Sequence, residues 1–173
     1  MKRIWNRILS VLLCLSLLLA FVPVGAQAAG SELNIRVSPS ATDACVGDVV
    51  EFTVTAKGSD VSALEFSLII PQGMTYVEGS ATVPAGLKDN LGWAAAEWIE
   101  SDMYWVGYND EPKTMDYVIL TFSCVVEKAG AYEVELYDLC AYDADYFPFQ
   151  PGLTVGAVNA SEYSMAVCQK TSK

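Results

Sequence analysis

Two carboxylates two residues apart, Asp143 and Asp145 in AYDADYF, are the nearest this chain comes to a metal-binding or acid–base motif. A calcium loop needs several oxygen ligands at fixed spacing, and this pair alone reads as a turn with solvated carboxylates. Calcium is at most weakly supported, and no other cofactor is implied. Histidine is absent from all 173 residues. That removes Ser-His-Asp and Cys-His nucleophiles, histidine general bases and HExxH metal sites. A carboxylate pair could still hydrolyse a glycoside, but nothing selects one pair from 21 acids, so no catalytic residue is assigned and an enzyme is not expected. What remains is recognition. Trp93 and Trp98, with a tyrosine, could stack on sugar rings, and the outward residues of several strands could meet a protein.

The elements that would position those residues begin after residue 28. MKRIWNR supplies three positive charges, ILSVLLCLSLLLAFV is an apolar run too short to span a bilayer comfortably, and AQA puts small residues at a cleavage spacing. Residues 1–28 therefore read as a secretory signal and 29–173 as the mature domain. Losing Lys2, Arg3 and Arg7 leaves seven basic against 21 acidic residues, a charge near −14. So acidic a surface repels nucleic acid and anionic membrane, which points to a basic or neutral partner. About 145 residues make one domain. The localisation expected is extracellular, with cell-surface association open. Cys45, Cys124, Cys140 and Cys168 remain, either as buried thiols or in one or two disulfides. Cys124 is in phase with Val118, Leu120, Phe122 and Val126, which makes it a core residue.

Period-two alternation bounded by Gly, Pro, Asn or Asp marks the strands. LNIRVSP (33–39) is followed by VVEFTVTAK (49–57), with Val50, Phe52, Val54 and Ala56 on one face. SALEFSLII follows, with Leu64, Phe66, Leu68 and Ile70 inward and Ala63, Glu65, Ser67 and Ile69 outward, then the short MTYVEG. WAAAEWIE and MYWVGYND flank a Ser101-Asp102 turn. The alanines of the first could open a helix, but it is too short and too tightly bracketed for one. YVILTFSCVVE, AYEVELYDLCAYD and SEYSMAVCQ complete about nine strands. Residues 144–160 read as the one long irregular connection, anchored by Tyr146, Phe147 and Phe149. Such a pattern predicts an all-β, antiparallel two-sheet sandwich.

The succession VGDVVEFTVTAK, VSALEFSLIIPQGMTYVEG, YVILTFSCVVEKAG, LCAYDAD and a terminal strand resembles a cohesin domain, the receptor module that docks dockerin-bearing enzymes in cellulosomes. The resemblance spans nearly all of residues 33–168. It departs at the bend, where Pro71-Gln72-Gly73 replaces the usual Asp-Pro, and in a longer, more aromatic region between the last two strands. It implies jelly-roll topology and a docking sheet made from the strand of Ala63–Ile70 and those at 93–99, 103–109 and 131–141. On that sheet Ala63, Glu65, Ser67, Tyr104, Val106, Tyr108, Glu133 and Glu135 would face the dockerin, with Leu139 beside them and Trp105 inward. The same sandwich also serves carbohydrate-binding modules, where Trp93 and Trp98 would take a polysaccharide, and structural surface modules. Each outward residue also has a plain reading: Glu65 as a solvated charge, Tyr104 and Tyr108 as good strand formers.

Overall fold

The computed structural model describes residues 31–87, 95–99 and 104–162. The expected leader, Trp93 and Cys168 lie outside them. Among the described residues there are eleven strands: β1 (Glu32–Pro39), β2 (Asp43–Cys45), β3 (Val49–Ile69), β4 (Met74–Tyr76), β5 (Ala95–Ile99), β6 (Tyr104–Val126), β7 (Gly130–Tyr132), β8 (Glu135–Tyr142), β9 (Pro148–Phe149), β10 (Gly152–Val155) and β11 (Val158–Ser161). Alternation accounts for the longer ones, while β2, β9 and β10 were not read from it. In β1, Leu33, Ile35 and Val37 are buried while Glu32, Asn34 and Arg36 are exposed, because successive side chains leave opposite faces of a pleat.

Two strands run further than the sequence suggests. The segments 49–57 and 63–70 join into β3, and those at 103–110 and 117–127 join into β6. These two pair antiparallel from Val49↔Val125 to Ser67↔Tyr104, but after a one-residue shift at Val54–Thr55 the register slips at Gly58–Val61 and again at Val61–Ala63. At the second slip, two steps along β3 oppose five along β6. Asp60 adopts φ 62° at the first. Gly58 is required there by close approach, since a Cβ would collide with the backbone oxygen of Glu32. Bulges bend a strand without ending its ladder, so what looks like a turn in sequence is a corner in a continuous ribbon.

Consequently the β3/β6 ribbon folds over and supplies the centre of both layers. The Trp105 Nε1–H donates to the Ile119 carbonyl at 3.2 Å, across 14 residues of the same strand. A straight strand would separate those residues by about 46 Å at ~3.3 Å per residue. Layer one has the order β10-β1-β3-β6-β4. Layer two is built on the other halves, with β5 beside β6, β8 beside β3 and β9 beside β8. A small third group, β2-β11-β7, completes the architecture. Pairing is antiparallel except for β1 with β10 and β2 with β11.

The core lies between the layers. Phe52, Leu64, Phe66, Leu68, Leu120 and Phe122 are all at most 2% exposed. Each layer carries a stacked aromatic pair on its inner face, Phe52–Phe122 and Phe66–Trp105, both with ring centroids 5.3 Å apart. Cys124 is buried as a free thiol and Cys140 is a free, half-buried one, while Cys45 is disulfide-bonded.

Two sequence expectations need correction. Residues 144–160 are not one irregular connection, since β9, β10 and most of β11 fall within them. Nor do Tyr146 and Phe147 anchor them: both are exposed, at 57% and 67%, and only Phe149 packs against the core. Asp143 closes a tight turn that turns the two rings outward. Its Oδ1 accepts from the backbone N–H of Asp145 and of Phe147, each at 2.9 Å. The terminal strand, read as 161–169, is described only in part: β11 ends at Ser161 and residues beyond 162 lie outside the description.

Candidate docking surface

Three adjacent strands of layer two place nine residues in a grid on its outer face. Along β3 run Ser67, Glu65 and Ala63. Beside them on β6 are their register partners Tyr104, Val106 and Tyr108, and on β8 Tyr137, Cys140 and Tyr142. Four tyrosines thus occupy the corners and Glu65 the centre. The arrangement follows from the pleat, because cross-strand partners share a face.

Glu65 is not a freely solvated charge. The Tyr104 hydroxyl donates to its Oε2 at 2.8 Å and the Tyr142 hydroxyl to its Oε1 at 3.2 Å, from diagonally opposite corners. Burial, then the hydrogen bond to Glu65 and its charge, push the Tyr104 phenol up to about 12. The Tyr142 phenol is raised as well, first by its contact with Cys140 and then by Glu65. Both hydroxyls therefore remain donors at neutral pH. Among the described residues the ion pairs are Lys57–Asp116 and Lys113–Glu111, and neither includes Glu65.

The residues expected on this face fall into three groups. Ala63, Glu65, Tyr104 and Val106 are half-buried on it, and Tyr108 is 46% exposed, while Trp105 is buried on the opposite side. Ser67 sits in the grid but is buried at 7% rather than exposed. Its partners on both sides are Tyr104 and Tyr137, and two large rings on one face leave a short side chain little access. Glu135 is exposed and pairs with Ile69, one step beyond the grid. Glu133 is exposed too, but it precedes β8 and stands off the ladder.

Leu139 was expected outward and is instead buried at 7%. The cause is Asp138, which adopts φ 51°. It adds a residue to β8, so that Glu65↔Cys140 and Ser67↔Tyr137 put three steps of β8 against two of β3. Beyond that bulge the faces exchange, bringing Cys140 and Tyr142 outward. Those two and Tyr137 are the residues that the sequence reading missed. The signal was present: the buried positions 132, 134 and 136 are followed by 139 and 141, a spacing of three in a period of two.

Trp98 is the register partner of Trp105, not of Tyr104 or Tyr108, and Trp93 lies outside the described residues. Asp143 and Asp145 form no metal cluster with other residues among those described.

No family model matches the chain, and no curated protein matches it. Solved structures do. A cohesin, Coh-OlpC, in complex with the dockerin Doc435 from Clostridium thermocellum superposes with a TM-score of 0.59 at 15% identity, covering 80% of this chain and 99% of that one. The third ScaB cohesin of R. flavefaciens, in complex with a group 1 dockerin, gives 0.60 at 16%, covering 78% and 98%. A non-cellulosomal cohesin from the archaeon Archaeoglobus fulgidus gives 0.58 at 14%, covering 82% and 99%. The fold is that of a cohesin module. As the cohesin resemblance implied, the strands containing Ala63–Ile69, Ala95–Ile99, Tyr104–Tyr108 and Glu135–Tyr142 belong to one layer.

Proposed function

We propose that the mature chain is a secreted, non-catalytic receptor of cohesin type, which docks a dockerin-type module through the outer face of layer two and so gathers polysaccharide-degrading enzymes. The observation that carries this reading is the grid: four tyrosines and Val106 around one carboxylate that has no cationic partner among the described residues. Aromatic and aliphatic groups on a rigid sheet supply contact area at small entropic cost, and tyrosine is enriched where interfaces hold most of their affinity. Two of the similar cohesins are bound to dockerins, which supports a partner of the same kind. The aspartates and glutamates of an acidic chain would steer a basic partner to the face.

The test immobilises the mature chain and offers it, in parallel, purified dockerin modules and insoluble cellulose and xylan. Saturable retention of a dockerin module, lost in Val106→Asp, is the expected result. Retention on polysaccharide alone, abolished by truncating Trp93 or Trp98, would replace the proposal with a carbohydrate-binding module.

A further inference from the structure

We propose that the Glu65 carboxylate, held between Tyr104 and Tyr142, is a receptor for one basic side chain of the protein partner, a lysine ammonium or an arginine guanidinium. The inference rests on the docking reading above and adds the chemistry that the partner must bring. Each carboxylate oxygen accepts one tyrosine hydroxyl, which fixes the orientation of the group but leaves each oxygen a further lone pair. A carboxylate already fixed loses little freedom when it is met, which is the advantage of preorganisation.

Charge makes the requirement strict. No described ion pair compensates Glu65, and the described strand segments of the grid, Ala63–Ser67, Tyr104–Tyr108 and Tyr137–Tyr142, contain no lysine or arginine. While the face is open, water and the two hydroxyls solvate the charge. Once a partner covers it, the remaining water is stripped away, and a buried carboxylate without a cation is strongly unfavourable. Glu65 therefore attracts a partner with a basic residue at that point and rejects one that presents an apolar or acidic side chain there. The tyrosines are positioning residues in this device, since they hold the carboxylate rather than meet the cation's charge.

Two measurements test it, one of which needs no dockerin. In the first, the labelled mature chain is titrated with N-acetyl-arginine methylamide and, separately, with the neutral citrulline analogue, and followed by NMR. Saturable shifts at the Glu65 carboxyl and the Tyr104 and Tyr142 rings with the arginine probe alone, absent in Glu65→Gln, are expected. Equal shifts with citrulline, or shifts spread over all exposed carboxylates, would overturn the receptor. Near-UV circular dichroism of Glu65→Gln, unchanged from the parent, establishes that the fold is intact.

In the second, each basic residue of a retained dockerin module is replaced by methionine and cycled against Glu65→Gln. One position should lose roughly tenfold to hundredfold in affinity against the parent and nothing further against Glu65→Gln. Strict additivity at every basic position would refute the inference while leaving docking intact. A positive arginine titration with no dockerin retained at all would instead leave the receptor standing and remove the docking assignment.

Discussion

The two layers are built from the same two strands, yet their outer faces differ in kind. On layer one, β3 and β6 present Glu51, Thr53, Thr55 and Lys57 beside Ser123, Thr121, Val118 and Asp116, and Lys57 is paired with Asp116 at 3.0 Å. On layer two the continuation of those strands presents Ala63 and Glu65 beside Tyr108, Val106 and Tyr104. Threonine and paired charges satisfy a strand that faces water. Four tyrosines, two of them holding a carboxylate, are a poorer solution for water and a better one for a partner. Strand formation alone requires only an apolar inner face, which both layers have, so the contrast outside is information about function.

The inner faces should respond alike. Phe52→Ala in layer one and Phe66→Ala in layer two each remove a fully buried ring from a stacked pair, and each should cost about 3–5 kcal/mol. Urea midpoints measure both. If one variant lost less than about 1 kcal/mol, well below the cost of emptying a packed site, the two layers would not share a single core.

The outer faces should respond differently. Val106→Asp puts a second negative charge beside Glu65 and should weaken dockerin binding by at least about thirtyfold, the range of an interface hot spot. Thr53→Asp makes the same change in charge on layer one and should leave affinity unaltered. Both substitutions should cost about 1 kcal/mol or less in stability, as is usual away from the core. Calorimetric titration of the two variants decides it, and equal losses would mean that the partner does not distinguish the faces.

The free thiols offer a milder version of the same contrast. Cys124, on the inner face of layer one, is buried, and burial pushes its thiol up to about 12. It is protonated at pH 8 and should react with a maleimide only as the fold opens, because the thiolate is the nucleophile. Cys140, in the grid, is half-buried and should react in the native state. Peptide mapping after brief labelling checks the site. The Cys140 adduct should weaken docking by roughly tenfold, as for a moderate interface contact. Labelling of Cys124 without Cys140 would invert the assignment of inner and outer faces on these strands.

How far the sequence disclosed this molecule depends on what each feature needs. The inward sets Val50–Ala56 and Leu64–Leu68 and the outward Tyr104, Val106 and Tyr108 follow from alternation alone, and all stand where alternation puts them. The continuity of β3 and β6 was hidden because Gly58-Ser59-Asp60 and Asn109-Asp110-Glu111-Pro112 have the composition of turns, whereas here they form the corners of a bent ribbon. Six of the nine grid positions were legible for the same reason. Tyr137, Cys140 and Tyr142 escaped because a one-residue slip exchanges faces, and the slip comes from the backbone of a single aspartate. The Tyr104–Glu65–Tyr142 bracket joins residues up to 77 positions apart, and pairing of that range cannot be read from local pattern.

That aspartate gives the finest test of the comparison, since it decides which side chains of β8 belong to the proposed docking face. Asp138 adopts the left-handed region at φ 51°, where Asp and Asn are tolerated and glycine is unstrained. Asp138→Gly should therefore keep the bulge and alter stability by about 1 kcal/mol or less, relief of strain being offset by the greater freedom of the unfolded chain. Asp138→Val meets the full left-handed penalty and should be about 1–2 kcal/mol less stable than the glycine variant. Docking should survive in Asp138→Gly, because Cys140 and Tyr142 stay outward and the Tyr142 hydroxyl still reaches Glu65. Thermal melts and dockerin affinity for the pair check both halves. A valine variant as stable as the glycine one would mean that residue 138 is not left-handed, that Leu139 rather than Cys140 faces the partner, and that Glu65 has one tyrosine instead of two.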